Sequence, residues 1–179
     1  VTKGSLDTSY YEAAQLMYQR GEMVSAMQEF EKYLQKFPNG YFALDAHYFK
    51  AEIALNLKKY DEALTDFNHV LEYAKTSYTE RALVAAAQIH MYQRQFAQAQ
   101  LKYAMLEEIA ERSENKLEAR IGLMRTYFKT EAFELADEYS QKILRSDRVE
   151  KALQDEANLI SAKCALGMDN LDIALAKFQ

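Results

Sequence analysis

A single proline and five glycines in 179 residues leave little turn chemistry for a multi-stranded sheet. One cysteine, Cys164, cannot close an internal disulfide, so the thiol content assigns no redox compartment. No block of lysine or arginine occurs, and the net charge is −5, which argues against a nucleic-acid or anionic-membrane surface. No apolar run approaches the roughly 18 residues of a spanning helix, so direct membrane insertion is not expected. The start carries no signal-peptide pattern. The chain begins at Val1 and not at methionine, as a processed chain or an excised segment would. What remains is ordinary globular material, 49% hydrophobic and 27% charged, enough for one domain or one continuous array of small units.

Apolar residues recur at steps of three and four almost throughout, which is the helical period. In "YYEAAQLMYQ" the set is Tyr10, Ala13, Ala14 and Met17; in "AHYFKAEIALNL" it is His47, Ala51, Ala54 and Leu55. Ten helices are expected, at about 7–20, 23–36, 42–57, 60–74, 77–93, 96–112, 115–130, 133–145, 148–167 and 170–179. The breaks fall at Gly21, at "FPNG" (Phe37 to Gly40) and at Ser-Glu-Asn from Ser113, before the seventh helix. Pro38 lacks an N–H and clashes with the preceding turn, while Gly40 is expected to supply a positive φ.

A decapeptide repeats: "GEMVSAMQEF", "KKYDEALTDF", "RQFAQAQLKY", "EAFELADEYS" and "DNLDIALAKF". Its alanines, Ala26, Ala63, Ala99, Ala136 and Ala174, are spaced by 37, 36, 37 and 38 residues. A fixed period of this size signals an array of helix-turn-helix units. Ala14, Ala51, Ala87 and Ala162 each stand twelve residues before a marker alanine, where two antiparallel helices approach most closely. A larger side chain there would force the helices apart, an overpacking that costs roughly 1–3 kcal/mol. Met23, Tyr60, Phe96, Phe133 and Leu171 are expected to fill the gap toward the next pair. The units run 7–40, 41–76, 77–113, 114–147 and an incomplete 148–179, a single array over 1–179. The fourth departs from the pattern: Met124 replaces the small residue and the aromatic slips to Tyr139, so a looser or shifted pair is expected. The fifth stops before its second helix is complete, so the parent chain is expected to continue.

Catalytic and metal signals are weak. His47, His69 and His90 occupy non-equivalent positions without a second histidine or cysteine at ligand spacing. His47 and His90 are expected to line helix faces inside a unit, His69 to face solvent, and Cys164 to be a small buried hydrophobe. The carboxylate neighbours Glu107–Glu108 and Asp155–Glu156 point about 100° apart on a helix and read as solvated faces. No phosphate loop or nucleophile elbow is present, so neither enzymatic activity nor a cofactor or metal is expected.

The paired alanines, the aromatics Phe30, Phe67, Tyr103 and Phe178, and Pro38 closing the first unit resemble the tetratricopeptide repeat (TPR) family over nearly the whole chain. The stretch "KYLQKFPNGYFALDAHYFKAEIALNLKKYDEAL" resembles its bacterial cell-envelope branch, as in Tol-associated coordinators and outer-membrane assembly lipoproteins. The resemblance implies an all-α, right-handed α-solenoid superhelix of antiparallel helix pairs. It also implies a periplasmic or envelope location, with cytoplasm as the alternative. The family's groove-facing positions fall on Tyr11, Gln15 and Tyr18, then Tyr48, Glu52 and Asn56, then Gln88 and Tyr92, then Arg125 and Lys129, and finally Lys163. Four tyrosines would form a contact stripe that turns basic in the later units, suited to an apolar or aromatic segment followed by acidic groups. The lysine–asparagine carboxylate clamp of chaperone-binding members is replaced here by Tyr11 and Gln15. The implied function is a scaffold binding a peptide or protein partner in a concave groove. The alternative is a structural spacer or self-association module of a larger envelope protein.

Overall fold

The computed structural model describes residues 3–146, 149–168 and 176. Among them there are nine α-helices: α1 (Lys3–Gln19), α2 (Met23–Lys36), α3 (Ala43–Asn56), α4 (Tyr60–Glu72), α5 (Thr79–Tyr92), α6 (Phe96–Ile109), α7 (Ser113–Lys129), α8 (Phe133–Leu144) and α9 (Lys151–Gly167). All of the regular structure is therefore helical, as the periodicity requires. The first helix starts earlier than expected because Gly4 and Ser5, poor helix formers with no apolar pattern around them, are nonetheless helical. The expected tenth helix, 170–179, and its markers Leu171, Ala174 and Phe178 lie outside the described residues.

The chain forms two compact units, Val1–Ala82 and Leu83–Gln179. In the first, α1 packs on α2, α2 on α3 and α3 on α4. In the second, α6 packs on α7, α7 on α8 and α8 on α9. The small residues do what their spacing predicts. Ala14, Ala26, Ala51, Ala63, Ala87, Ala99, Ala136 and Ala162 have no exposed surface at all. The aromatics four residues after the markers, Phe30, Phe67 and Tyr103, are buried beside them.

The fourth pair meets its irregularities in a specific way. Met124 is completely buried in one cluster with Ala136, Ile143, Ala157, Ile160 and Cys164. Ser140 fills the aromatic position and turns its hydroxyl back onto the Ala136 carbonyl at 2.8 Å. Tyr139 points elsewhere, stacking on Tyr127 at 5.7 Å and donating to Glu107 of α6 at 2.7 Å. A close approach between α6 and α7 comes from a residue outside the repeat pattern, Gly122. A Cβ at Gly122 would fall on the ring of Tyr103.

The corner inside each helix pair is one motif written four times. Gly21, Lys58, Arg94 and Glu131 all have positive φ, between 58° and 77°. Each donates its N–H to the carbonyl three residues back, and the next residue donates to the carbonyl five residues before it, as in Glu22 to Met17 and Lys59 to Ala54. This double bond pattern closes a helix C-terminus on a left-handed residue. Three of the four corners use a side chain where glycine is the usual choice. Gly40, by contrast, does not have the expected positive φ. Its constraint is steric, because a Cβ there would meet the Tyr33 hydroxyl and come within 2.9 Å of Phe37 Cβ.

The two glycines thus serve different physics, and substitution separates them. Gly21→Ala meets no atom and should cost about 1 kcal/mol of left-handed strain. Gly122→Ala should cost about 1–3 kcal/mol through overpacking against the buried Tyr103, despite a gain of up to ~1 kcal/mol in helix propensity. Urea unfolding of both variants checks the order; a stabilised Gly122→Ala would remove Gly122 from the packing argument.

Candidate functional site

In the first unit the expected groove residues converge on Glu52, a carboxylate of α3. It accepts hydrogen bonds from Tyr48 one turn earlier, from Tyr18 of α1 at 3.5 Å and from Arg81 of α5 at 2.9 Å. Arg81 also lies over the Tyr48 ring, 5.3 Å from its centroid. Beneath, Tyr48 stacks on Tyr78 at 4.0 Å, and Tyr78 donates to Asp45 at 2.5 Å.

This geometry corrects the expected tyrosine stripe. Tyr48 is 1% exposed and Tyr11 6% exposed. Tyr11 stacks face to face on Phe42 at 4.3 Å and sits edge-on to Tyr33. Both rings are core, so neither offers a face to a partner. The covering group for Tyr48 arrives from thirty residues downstream in Tyr78, which a reading of one helix at a time does not reveal. Tyr18 and Gln15 are half-buried, and Asn56 is exposed. Burial is the first cause that raises the hydroxyl pKa values here. It takes Tyr11 to about 12, with Asp45 adding to it, and it raises Tyr48 further with the help of Glu52.

In the second unit Tyr92 is 71% exposed. Gln88 is exposed and donates to Glu118 at 3.0 Å. Arg125 grips Glu156 of α9 with two bonds of 2.7 Å. That grip holds the Glu156 carboxyl below the usual glutamate range and raises the Arg125 guanidinium. The basic character expected of this face is thus reduced at Arg125, whose charge is already matched; Lys129 and Lys163 remain exposed. Glu107 and Glu156 are not merely solvated, since Arg120 and Tyr139 hold the first and Arg125 the second.

The histidines also depart from expectation in one respect. His90 is buried against Gln95 at 2.6 Å, and His69 is exposed. But His47 and His69 stack on each other at 4.6 Å, bringing together two residues that sequence spacing left apart. His47 Nδ1 lies 2.7 Å from Asp66, a carboxylate only 2% exposed. Lys50 bridges Asp66 at 3.1 Å and Glu31 at 2.5 Å. The bond from Lys50 holds Glu31 low; burial opposes the Lys50 charge, yet the two carboxylates prevail and raise it. This is a structural ionic cluster. Among the described residues no group of three or more His, Cys, Asp or Glu could hold a metal ion, and no helix is long and apolar enough to cross a membrane. Cys164 is fully buried in the apolar cluster around Met124.

Comparison with solved structures bears on the fold. YrrB, a TPR protein with an unusual peptide-binding site, superposes with a TM-score of 0.71 over 94% of this chain and 80% of its own at 17% identity. The MamA protein gives 0.70 over 98% and 89% at 14% identity. MamA from residue 41 to its end, from Desulfovibrio magneticus RS-1, gives 0.67 over 96% and 90% at 19% identity. At these identities the likeness is one of fold, and the protein has the all-α helical-repeat solenoid fold seen in tetratricopeptide repeat proteins. No protein-family model and no curated protein sequence matches the chain.

Two outcomes follow from the burial pattern. Tyr48→Ala should destabilise the protein by about 3–5 kcal/mol, the cost of emptying a large buried site, whereas Tyr92→Ala should stay within ~0.5 kcal/mol of the parent. Equal thermal shifts would contradict the assignment of Tyr48 to the core. The second outcome concerns alkaline pH. Burial raises Tyr11 and Tyr103 from 10.0 to about 12 in the fold. A raised folded value means that the stabilising contribution is full below pH 10 and is lost as pH rises through about 12. The late phase of phenolate absorbance should therefore coincide with loss of far-ultraviolet helix signal; complete ionisation of a still-helical chain would contradict it.

Proposed function

We propose that the protein is a non-enzymatic scaffold of the tetratricopeptide repeat kind that binds a peptide or protein segment. Arg81 carries the reading. Its guanidinium is 62% exposed on its side chain, yet it is held by Glu52 and by the Tyr48 ring. A guanidinium fixed in this way offers its remaining N–H donors in a set direction and loses little side-chain entropy on binding. Tyr18, an expected groove residue of α1, shares the Glu52 carboxylate with it. YrrB, which shares the fold, is described by its peptide-binding site, and that supports a similar use of this surface.

The second unit offers a separate contact set in Gln88, Tyr92, Lys129 and Lys163. Tyr92 supplies a rigid amphipathic ring of the type enriched in binding hot spots. The five-unit division of the chain and the cell-envelope subtype remain part of this proposal and rest on the sequence alone, as does self-association.

A displayed library of random peptides panned against the purified chain tests the scaffold reading. Selected peptides should lose about tenfold or more in affinity to Arg81→Ala or Tyr92→Ala, a change of ~1.4 kcal/mol, while the melting temperature is unchanged. No selected peptide, or peptides that bind both variants as well as the parent, would sink the assignment of these surfaces.

A further inference from the structure

The open end of the α7–α8 pair gathers four cations, only two of which are matched by acids of the fold. A cavity of about 830 Å³ is lined there by Ser113, Glu114, Lys116, Leu117, Arg120, Lys142, Arg145 and Ser146. Lys116 and Arg120 stand four residues apart on α7, and Lys142 and Arg145 three apart on the last turn of α8 and its cap. Residues at those spacings share one helix face, and like charges so placed weaken a helix slightly. Each helix therefore contributes a pair of cations to one wall of the same cavity.

Two of the four are engaged elsewhere in part. Arg120 donates to Glu107 at 3.1 Å and to Ser146 at 3.4 Å. Lys142 pairs with Glu138 at 2.9 Å and lies 4.0 Å from the Tyr139 ring centroid. Lys116 and Arg145 are exposed and make no ion pair with any described residue. Among the described residues of the cavity wall the one acid is Glu114; Glu107 and Glu108 border an adjoining hollow that shares Lys116, Arg120 and Lys142. Of the four cations around the hollow, Arg120 and Lys142 are matched by Glu107 and Glu138, which leaves Lys116 and Arg145 as the two with no ion pair among the described residues.

The site is distinct from the groove positions of the same helix. Lys116 and Arg125 are nine residues apart, as are Arg120 and Lys129, which sets them about 180° apart around α7. The groove reading can therefore fail without touching this one.

We propose that this hollow binds a run of carboxylates on an acidic segment of a protein partner. The layout of the cations selects that ligand over a single phosphate. Their backbone positions stand in two rows, one on each helix, with neighbours in a row ~5–6 Å apart at Cβ. Side chains on alternate residues of an extended chain are ~7 Å apart, so successive acids on one side of the segment meet successive cations along a row. Arg145 can take a carboxylate through two N–H groups, Lys116 as a point charge, and the Ser113 hydroxyl can donate to a remaining oxygen, whereas Ser146 already donates to the Lys142 carbonyl at 2.9 Å. The open mouth leaves the partner chain free to continue on both sides.

Fluorescence anisotropy with the full chain and labelled hexaglutamate tests the proposal, with labelled hexaserine as control. Hexaglutamate alone should bind, and binding should weaken as salt rises from about 10 mM to about 150 mM, over which the Debye length falls from ~30 to ~8 Å. The Lys116→Glu/Arg145→Glu variant should bind about tenfold more weakly or worse. Lys116→Gln/Arg145→Gln should fall between it and the parent, with circular dichroism and melting temperature unchanged in the glutamine pair. Arg81→Ala and Tyr92→Ala, which alter the proposed groove, should bind hexaglutamate like the parent. Three results would overturn the proposal: no binding at low salt, equal binding by parent and both charge variants, or displacement of the label by inorganic pyrophosphate at concentrations well below those of unlabelled hexaglutamate, which would make this a phosphate site.

Discussion

The structure depends on how closely two antiparallel helices can approach. Where Ala14 faces the second helix of its pair, or Ala51 and Ala87 stand in theirs, the side chain is a single methyl group with no exposed surface. That proximity lets one large residue per turn, such as Phe30 or Tyr103, reach across to the next helix and be covered. The interior is therefore built from alternating small and large groups rather than from uniformly sized aliphatics. Packing of this kind leaves little tolerance for an added methylene. It also explains how the fourth pair keeps its core without an alanine at position 124. Met124 is long and flexible enough to fill the space that its neighbours leave, while Gly122 gives Tyr103 the room to close the α6–α7 contact.

The same economy shapes the polar interior. Asp66 is almost wholly buried yet is met by Lys50 and His47, and Lys50 is met in turn by Glu31. Glu52 gathers Tyr18, Tyr48 and Arg81. In each case one carboxylate ties together side chains from different helices. Such ties add modest energy, because the desolvation of the charges offsets much of their attraction. Their clearer effect is positional, since every partner is held in one rotamer. An exposed arginine fixed in this manner differs from one without such ties, and that difference separates Arg81 from Lys116 and Arg145, which make no ion pair with any described residue.

Much of the fold was legible in the sequence because its signal is local and repeated. The alanine spacing, the apolar stripe and Pro38 each act within one or two turns of a helix. The functional surface was less legible. Helical spacing identifies the face on which Tyr11 and Tyr48 lie, but Phe42 and Tyr78, contributed by later elements, decide whether that face is covered. Arg81 escaped notice because it belongs to the first turn of the following pair and reaches back to Glu52 over 29 residues. The stacking of His47 on His69 was hidden for a similar reason: each histidine looks isolated on its own helix. The cavity at the open end of α7 and α8 did have a signal, two cation pairs at helical spacing, one at the start of the first helix of the pair and one at the end of the second.

The recurring left-handed corner has a consequence for how such a chain can diverge. Gly21, Lys58, Arg94 and Glu131 all carry the same turn, a side chain there adding about 1 kcal/mol of left-handed strain, since the bend is set by two main-chain hydrogen bonds and not by any side-chain chemistry. The identity of the corner residue is thereby decoupled from the hinge it occupies. Mutational drift can change charge, size and polarity at these exposed positions while the local angle between the helices is inherited intact. Each corner is thus a position where evolvability is high and architectural risk is low.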